Sequence, residues 1–175
     1  IKLFPKAKVR YGFINRGKHI FPEGFADLLR VSVDAMADLR LTKEEKNYLT
    51  HYCPYLDPTY LDFLQGYSFD PSEVQISQEG SEIKVTVEGF WYRTILWEVP
   101  LMALISELFY KSNHLIRLND EAIKELTKEK IDNYNKLGVS ILEFGTRRRH
   151  SYEVHDLINE WIFFLKILPL EFSRL

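Results

Sequence analysis

The stretch Ile141-Leu142-Glu143-Phe144-Gly145-Thr146-Arg147-Arg148-Arg149-His150-Ser151 decides how the fold is read. From Val139 to Phe144 the chain is almost continuously apolar, as an internal parallel strand buried on both faces should be. Gly145-Thr146 makes a turn, and a helix is expected from about Tyr152. A strand followed by a helix is the unit of an α/β protein, which binds its ligands at the carboxyl ends of its strands. The side chains delivered there are Arg147, Arg148 and Arg149, then His150. A guanidinium is always charged, and its planar fork matches phosphate oxygens two at a time. Phosphate binding is one reading. The other is three solvated arginines at a helix start, where the macrodipole disfavours cations. The tripeptide alone leaves both open.

Working back from this stretch, Asn119-Asp120-Glu121 opens a charged helix that ends near Leu137, with Gly138 as its stop. Lysines and glutamates alternate along it, so an exposed helix is expected. Pro100 begins a helix that is apolar most of the way round, through Leu101, Leu104, Ile105 and Phe109, which implies burial. Glu98 and Glu107 are the charges at its edges. Glu98 reads as an acidic residue favoured by the helix dipole rather than as a catalytic carboxylate. Before it, Trp91 to Trp97 reads as extended, with Trp91, Arg93, Ile95 and Trp97 on one side and Gly89 as a bulge. Two alternating runs, 73–78 and 82–87, flank Gly80 and predict a hairpin.

The first seventy residues are mainly helical by the same reasoning. Residues 1–7 read as a helix tail ended by Pro5, and Lys8 to Arg16 as a strand with Val9, Tyr11 and Phe13 on one face. Phe25, Leu28, Leu29, Val33, Met36 and Leu39 mark one apolar helix face over 22–39. Thr42-Lys43-Glu44-Glu45 spells a capping box, and Asp57-Pro58 spells an N-cap followed by Pro at the first helical position. Beyond Leu157 the sequence turns apolar with no clear face, a tail expected to promote association if exposed. The predicted class is α+β: a mixed helix and antiparallel-sheet domain over 1–137, the first strand-helix unit of an incomplete α/β barrel over 138–157, and an atypical apolar tail over 158–175.

Bulk numbers set limits. Of the 175 residues 46% are hydrophobic and 27% charged, enough for a real core and against disorder. Net charge is −2, so no global field draws the chain to nucleic acid or anionic lipid, and any anion site must be local. The single cysteine, Cys53, excludes an internal disulfide and fits a cytoplasmic, reducing compartment. No metal site, membrane span or signal peptide is expected. The chain opens at Ile1 without Met, inside a stretch that reads as structured, so Ile1 is not expected to be the natural start.

The stretch Phe-Gly-Thr-Arg-Arg-Arg-His-Ser-Tyr-Glu resembles the signature of the nicotinate phosphoribosyltransferases, which serve NAD biosynthesis by salvage. Tyr11–Arg16, Asp38–Glu45, Tyr60–Leu64, Phe69–Pro71 and Thr94–Glu107 agree with the same family in the same order, so the resemblance runs from about residue 8 to about residue 157. It implies a pentosyltransferase that makes nicotinate mononucleotide from nicotinate and phosphoribosyl pyrophosphate (PRPP). The family couples this, in ligase fashion, to ATP hydrolysis through a phosphorylated histidine. Such chemistry asks for cations on the phosphates, a slot for a flat ring and tolerance of an oxocarbenium-like transition state.

Carried over by the resemblance, Phe144 stacks on the pyridine ring, and Arg147 holds phosphate or the nicotinate carboxylate with Thr146 and Arg148 beside it. Gly145 lets the backbone approach closely. Arg149, His150, Asn15 and Arg16 are weaker carry-overs, and Asn15 and Arg16 also read as structural. No residue here is assigned a catalytic role: the resemblance places the family's Thr-Asp-x-Tyr motif before Ile1 and its phosphohistidine after Leu175. ATP and Mg²⁺ are implied for the complete enzyme, with no tightly bound cofactor. The expected partners are the small-molecule substrates and a homo-oligomer mate, since neighbouring subunits often complete the site in this family. The chain alone is expected to be inactive. The competing readings are a non-catalytic anion-binding module and an interaction domain. Against the first stand the negative net charge and the lack of aromatics interleaved with the arginines.

Overall fold

The computed structural model describes residues 4–139, 143 and 145–167. They form two compact units, 1–98 and 99–175. The boundary falls inside the span 1–137 read from the sequence as one domain.

The first unit is built on a three-stranded antiparallel sheet with order β1-β3-β2, where β1 is Lys8–Gly12, β2 Val74–Glu79 and β3 Glu82–Phe90. The hairpin turn sits where Gly80 places it: its φ of 58° is left-handed, which costs glycine nothing. Alternation in β3 puts Ile83, Val85 and Val87 on the buried face and Glu82, Lys84 and Glu88 on the exposed one. In β1, Val9 and Tyr11 face inward, as their spacing predicts.

Helix α1 (Phe25–Ala35) buries Phe25, Leu29 and Val33, a stripe of period four. Burying such side chains contributes roughly 1.5–3 kcal/mol each. The predicted stripe also held Leu28 and Leu39, and both are exposed: Leu28 lies beside the true stripe, and Leu39 is extended backbone past the 3₁₀ turn that follows α1. The N-cap of α1 is Gly24, which has no side chain to cap with. Gln78 of β2 fills that role. Its Oε1 accepts from the Ala26 N–H at 3.0 Å, and its Nε2 donates to the Pro22 carbonyl at 2.8 Å. The capping box is formed as read: Thr42 Oγ1 accepts from the Glu45 N–H at 3.1 Å and Glu45 Oε2 accepts from the Thr42 N–H at 2.8 Å. It starts α2 (Lys43–Tyr52). Asp57 caps α3 (Pro58–Gly66) through the Thr59 N–H at 2.7 Å.

Two expectations fail in this unit. Gly89 is not a bulge, because β1 and β3 pair in continuous register through Val9 opposite Gly89. A Cβ there would stand 2.9 Å from Thr94 Cγ2, so the position is glycine for close approach. Residues 91–97 are helical, not extended: α4 (Trp91–Thr94) runs into a 3₁₀ turn, Ile95–Trp97. The apolar alternation misled because the fully buried residues are Thr94 and Trp97, three apart, while Trp91 and Ile95 are exposed. Residues 4–7 are a turn rather than a helix tail, and the rest of that expectation lies outside the described residues.

The second unit takes up α5 (Glu98–Ser112), α6 (Asp120–Lys136) and α7 (Tyr152–Ile167). In α5, Leu101, Ala103 and Ile105 are buried, as its composition predicts. Asn119 caps α6 through the Ala122 N–H at 2.8 Å, and Gly138, at φ 67°, ends it. The exposed-helix expectation for α6 is corrected: Ile123, Thr127 and Ile131 are buried on the side that packs with α7. Three apolar or small residues among many charges were enough to make a buried stripe. The strand expected over 139–144 lies outside the described residues, apart from Val139 and Glu143, which are irregular. Residues 158–167 of the apolar tail are helical within α7. Among the described residues no helix is long and apolar enough to cross a membrane.

Candidate functional site

Gly145–Arg148 form a single 3₁₀ turn that leads through Arg149, His150 and Ser151 into α7. The turn is tied down at its far end. Arg149 Nε donates to Glu107 Oε1 of α5 at 2.6 Å, and both side chains are largely buried. Ser106 Oγ donates to the Arg149 carbonyl at 2.8 Å, and the Arg149 guanidinium lies 5.4 Å from the ring centre of Tyr152. Next to it the His150 ring packs on Tyr110, 4.5 Å between centroids and tilted by 30°. Both His150 ring nitrogens are buried, and neither has a hydrogen-bond partner among the described residues.

Ser151 is buried and accepts from the Val154 N–H at 3.3 Å, so it caps α7. Its hydroxyl, and then the Glu153 backbone, hold the Glu153 carboxyl below the usual carboxylate range. The reading of three solvated arginines is therefore wrong for Arg149, which is spent on structure. Arg147 and Gly145 are exposed and Thr146 is half-buried. Phe144 and the side chain of Arg148 lie outside what the structure describes.

The other two candidates belong to the first unit. Asn15 closes the loop after β1 on itself: its Nδ2 donates to the His19 carbonyl at 2.7 Å and its Oδ1 accepts from the His19 N–H at 3.0 Å. That clamp carries Lys18 at φ 50°. Arg16 is exposed, and its N–H bonds the Ile14 carbonyl at 3.0 Å. The structural reading of Asn15 is the one with visible partners.

Sequence reasoning missed the α5 side of the site. Ser106, Glu107 and Tyr110 hold Arg149 and His150, and only Glu107 gave a signal, as a lone carboxylate in an apolar helix that must find a cation when buried. A cavity of about 460 Å³ also opens between α6 and α7. His150, Glu143, Arg117 and Lys130 are among its polar lining, whereas Thr146, Arg147 and Arg149 do not line it. Among the described residues no group of three or more His, Cys, Asp or Glu side chains could hold a metal ion.

The described residues thus form a mixed helix and antiparallel-sheet unit and a helical unit that carries a pinned Gly-Thr-Arg turn. Residues 1–106 match the family described as nicotinate phosphoribosyltransferase (NAPRTase) N-terminal domain. The chain belongs to the nicotinate phosphoribosyltransferase family. It is 60% identical over 158 residues to a nicotinate phosphoribosyltransferase of Chromohalobacter salexigens, covering 90% of this chain and 40% of that one. It is 49% identical, again over 158 residues, to one of Desulforapulum autotrophicum. The crystal structure of nicotinate phosphoribosyltransferase from Porphyromonas gingivalis superposes with a TM-score of 0.86 at 38% identity, covering 93% of this chain and 42% of that chain. The chain thus spans about 40% of the length of the relatives it matches.

Proposed function

We propose that this chain supplies part of a nicotinate phosphoribosyltransferase active site, in which the phosphoribosyl group of PRPP passes to the ring nitrogen of nicotinate and pyrophosphate leaves. The observation that carries this is the 60% identity over 158 residues to a relative of that name. The local geometry is compatible. Arg147 and Thr146 stand on a turn whose next residue is locked to Glu107, so a phosphate-binding guanidinium would not have to be ordered at the moment of binding. In this reading Arg147 binds phosphate or the nicotinate carboxylate, with Thr146, Gly145, Arg148 and Phe144 around it. Arg149 and His150 position the turn rather than touch substrate. ATP and Mg²⁺ act with the complete enzyme, which works in the cytoplasm, and the chain by itself makes no nicotinate mononucleotide.

Calorimetric titration of PRPP and nicotinate into the chain, with Arg147→Ala as control, tests this. Weak binding that the variant loses is the expected result. Binding that is unchanged in Arg147→Ala would remove Arg147 from the site. Detection of nicotinate mononucleotide above a no-protein control would overturn the inactivity of the isolated chain.

A further inference from the structure

The turn that carries Thr146 and Arg147 is held from behind by Glu107, through Arg149. A second carboxylate holds its front. Glu143 Oε1 accepts from the Gly145 N–H, the first amide of the turn. A carboxylate that accepts from a backbone amide makes a charge-assisted hydrogen bond, stronger than a neutral one. Glycine at 145 follows from the same contact. A Cβ there would collide with that oxygen, so any side chain would push Glu143 off the amide. Helix α7 holds Glu143 in its turn. His155 Nε2 lies 3.9 Å from Oε1, an ion pair when the imidazole is protonated, and the His155 side chain is only 15% exposed. Asn159 Nδ2 lies 3.4 Å from the same ring nitrogen. Placing a binding group precisely takes a supporting residue that is itself supported. Thr146 alone separates Gly145 from Arg147, so the Gly145 peptide sets the direction from which the Arg147 guanidinium starts.

We infer that Glu143 is a positioning residue: it fixes the Gly145 peptide, and through it Thr146 and Arg147, without touching substrate. The inference deepens, and rests on, the reading of Arg147 as a ligand of an anionic substrate. Glu143 is also a negative charge beside that anion site, and charge alone would weaken binding. Charge and positioning therefore act on affinity in opposite directions, and two variants separate them. Glu143→Gln keeps an acceptor for the amide and loses the charge. Glu143→Ala loses both.

The test is amide hydrogen exchange by NMR, with calorimetric titration of PRPP, on the full chain and both variants. In Glu143→Ala the Gly145 amide is expected to exchange about fivefold faster, the scale of one lost hydrogen bond, and PRPP affinity to fall. In Glu143→Gln the exchange should stay near that of the parent, and PRPP affinity should equal or exceed it. The amides of α1 should exchange alike in all three chains, which shows that the variants fold. Unchanged Gly145 exchange in Glu143→Ala would overturn the inference. So would PRPP affinity that rises in both variants, since charge alone explains that, or falls equally in both. A parent chain that binds no PRPP retires the reading of Arg147, and the Gly145 exchange rates then decide the role of Glu143 by themselves.

Discussion

Arg149 and Glu107 meet at 2.6 Å, guanidinium Nε to carboxylate Oε1, with both side chains mostly withdrawn from water. The contact sorts neighbouring arginines by role: Arg149 points inward and holds the turn, while Arg147 stays exposed. Removing either partner strands the other charge in a poorly solvated place. Arg149→Ala is expected to lower stability by about 1.5–3 kcal/mol, the range for a hydrogen bond to a charged group. Glu107→Ala should cost a similar amount, and the double variant less than the sum of the two. Urea denaturation of the three variants measures this. Strict additivity would mean that the pair is not coupled.

His150 gives a prediction of the opposite sign. Its ring packs on Tyr110, but its two nitrogens find no hydrogen-bond partner among the described residues. A buried polar group left unsatisfied costs about 1–3 kcal/mol, and an apolar group of the same shape avoids that. His150→Phe keeps the aromatic contact, so it is expected to raise the denaturation midpoint of the isolated chain. His150→Ala should lower it by opening a cavity. A fall in both variants would show that the nitrogens do have partners in solution.

In the first unit the polar centre is Glu73. One carboxylate oxygen accepts from Arg93 Nε at 2.9 Å and the other from Trp97 Nε1 at 3.1 Å. Arg93 also donates to the Ser68 carbonyl at 3.1 Å, and its own carbonyl accepts from Tyr67 Oη at 3.1 Å. The carboxylate thus joins the start of β2 to the helical turn at 91–97. Glu73→Ala takes the carboxylate from a half-buried guanidinium and leaves the buried Trp97 indole N–H unpaired, and a loss of about 1–3 kcal/mol is expected. Glu73→Gln keeps an acceptor and should lose less. Thermal unfolding followed by circular dichroism reads this. A loss below about 0.5 kcal/mol, the scale of ordinary surface substitutions, would place Glu73 outside the core.

Much of this was legible in the sequence because it is local. Thr42 with Glu45, Asp57 with Pro58, Asn119 and Gly80 each make their signal within four residues, and each was read correctly. What failed was long-range. Gln78 caps α1 from 52 residues away, and Glu107 selects Arg149 from 42 residues away; no periodicity encodes either. The segment 91–97 failed for a different reason. Its apolar residues alternate, but its burial is decided by Glu73 and Phe69, which draw Trp97 inward, its ring 4.6 Å from that of Phe69. At the candidate site the residue types were readable and their division of labour was not. Three consecutive arginines look alike until the partner of one of them is known.

The alkaline limit of stability is set in the same region. Tyr11 is pushed up to about 12, mainly by burial and then by the carboxylates of Glu98 and Glu73, and its hydroxyl donates to the Thr94 carbonyl. Tyr67 is raised further, by burial first and then by Glu73. An unfolded chain ionises these phenols near pH 10, whereas the folded chain holds them protonated. Between those two values the native state binds more protons than the unfolded state, so stability falls as pH rises. The contribution is fully present below pH 10 and is lost as pH climbs through about 12 for Tyr11. Tyr11→Phe removes one of these groups and should flatten the decline of the urea midpoint across that window, without changing its slope between neutrality and the onset. Tyrosinate absorbance should show one phenol fewer titrating late in the variant than in the native protein. An unchanged alkaline slope in Tyr11→Phe would mean that Tyr11 ionises alike in both states and that its burial carries no linkage.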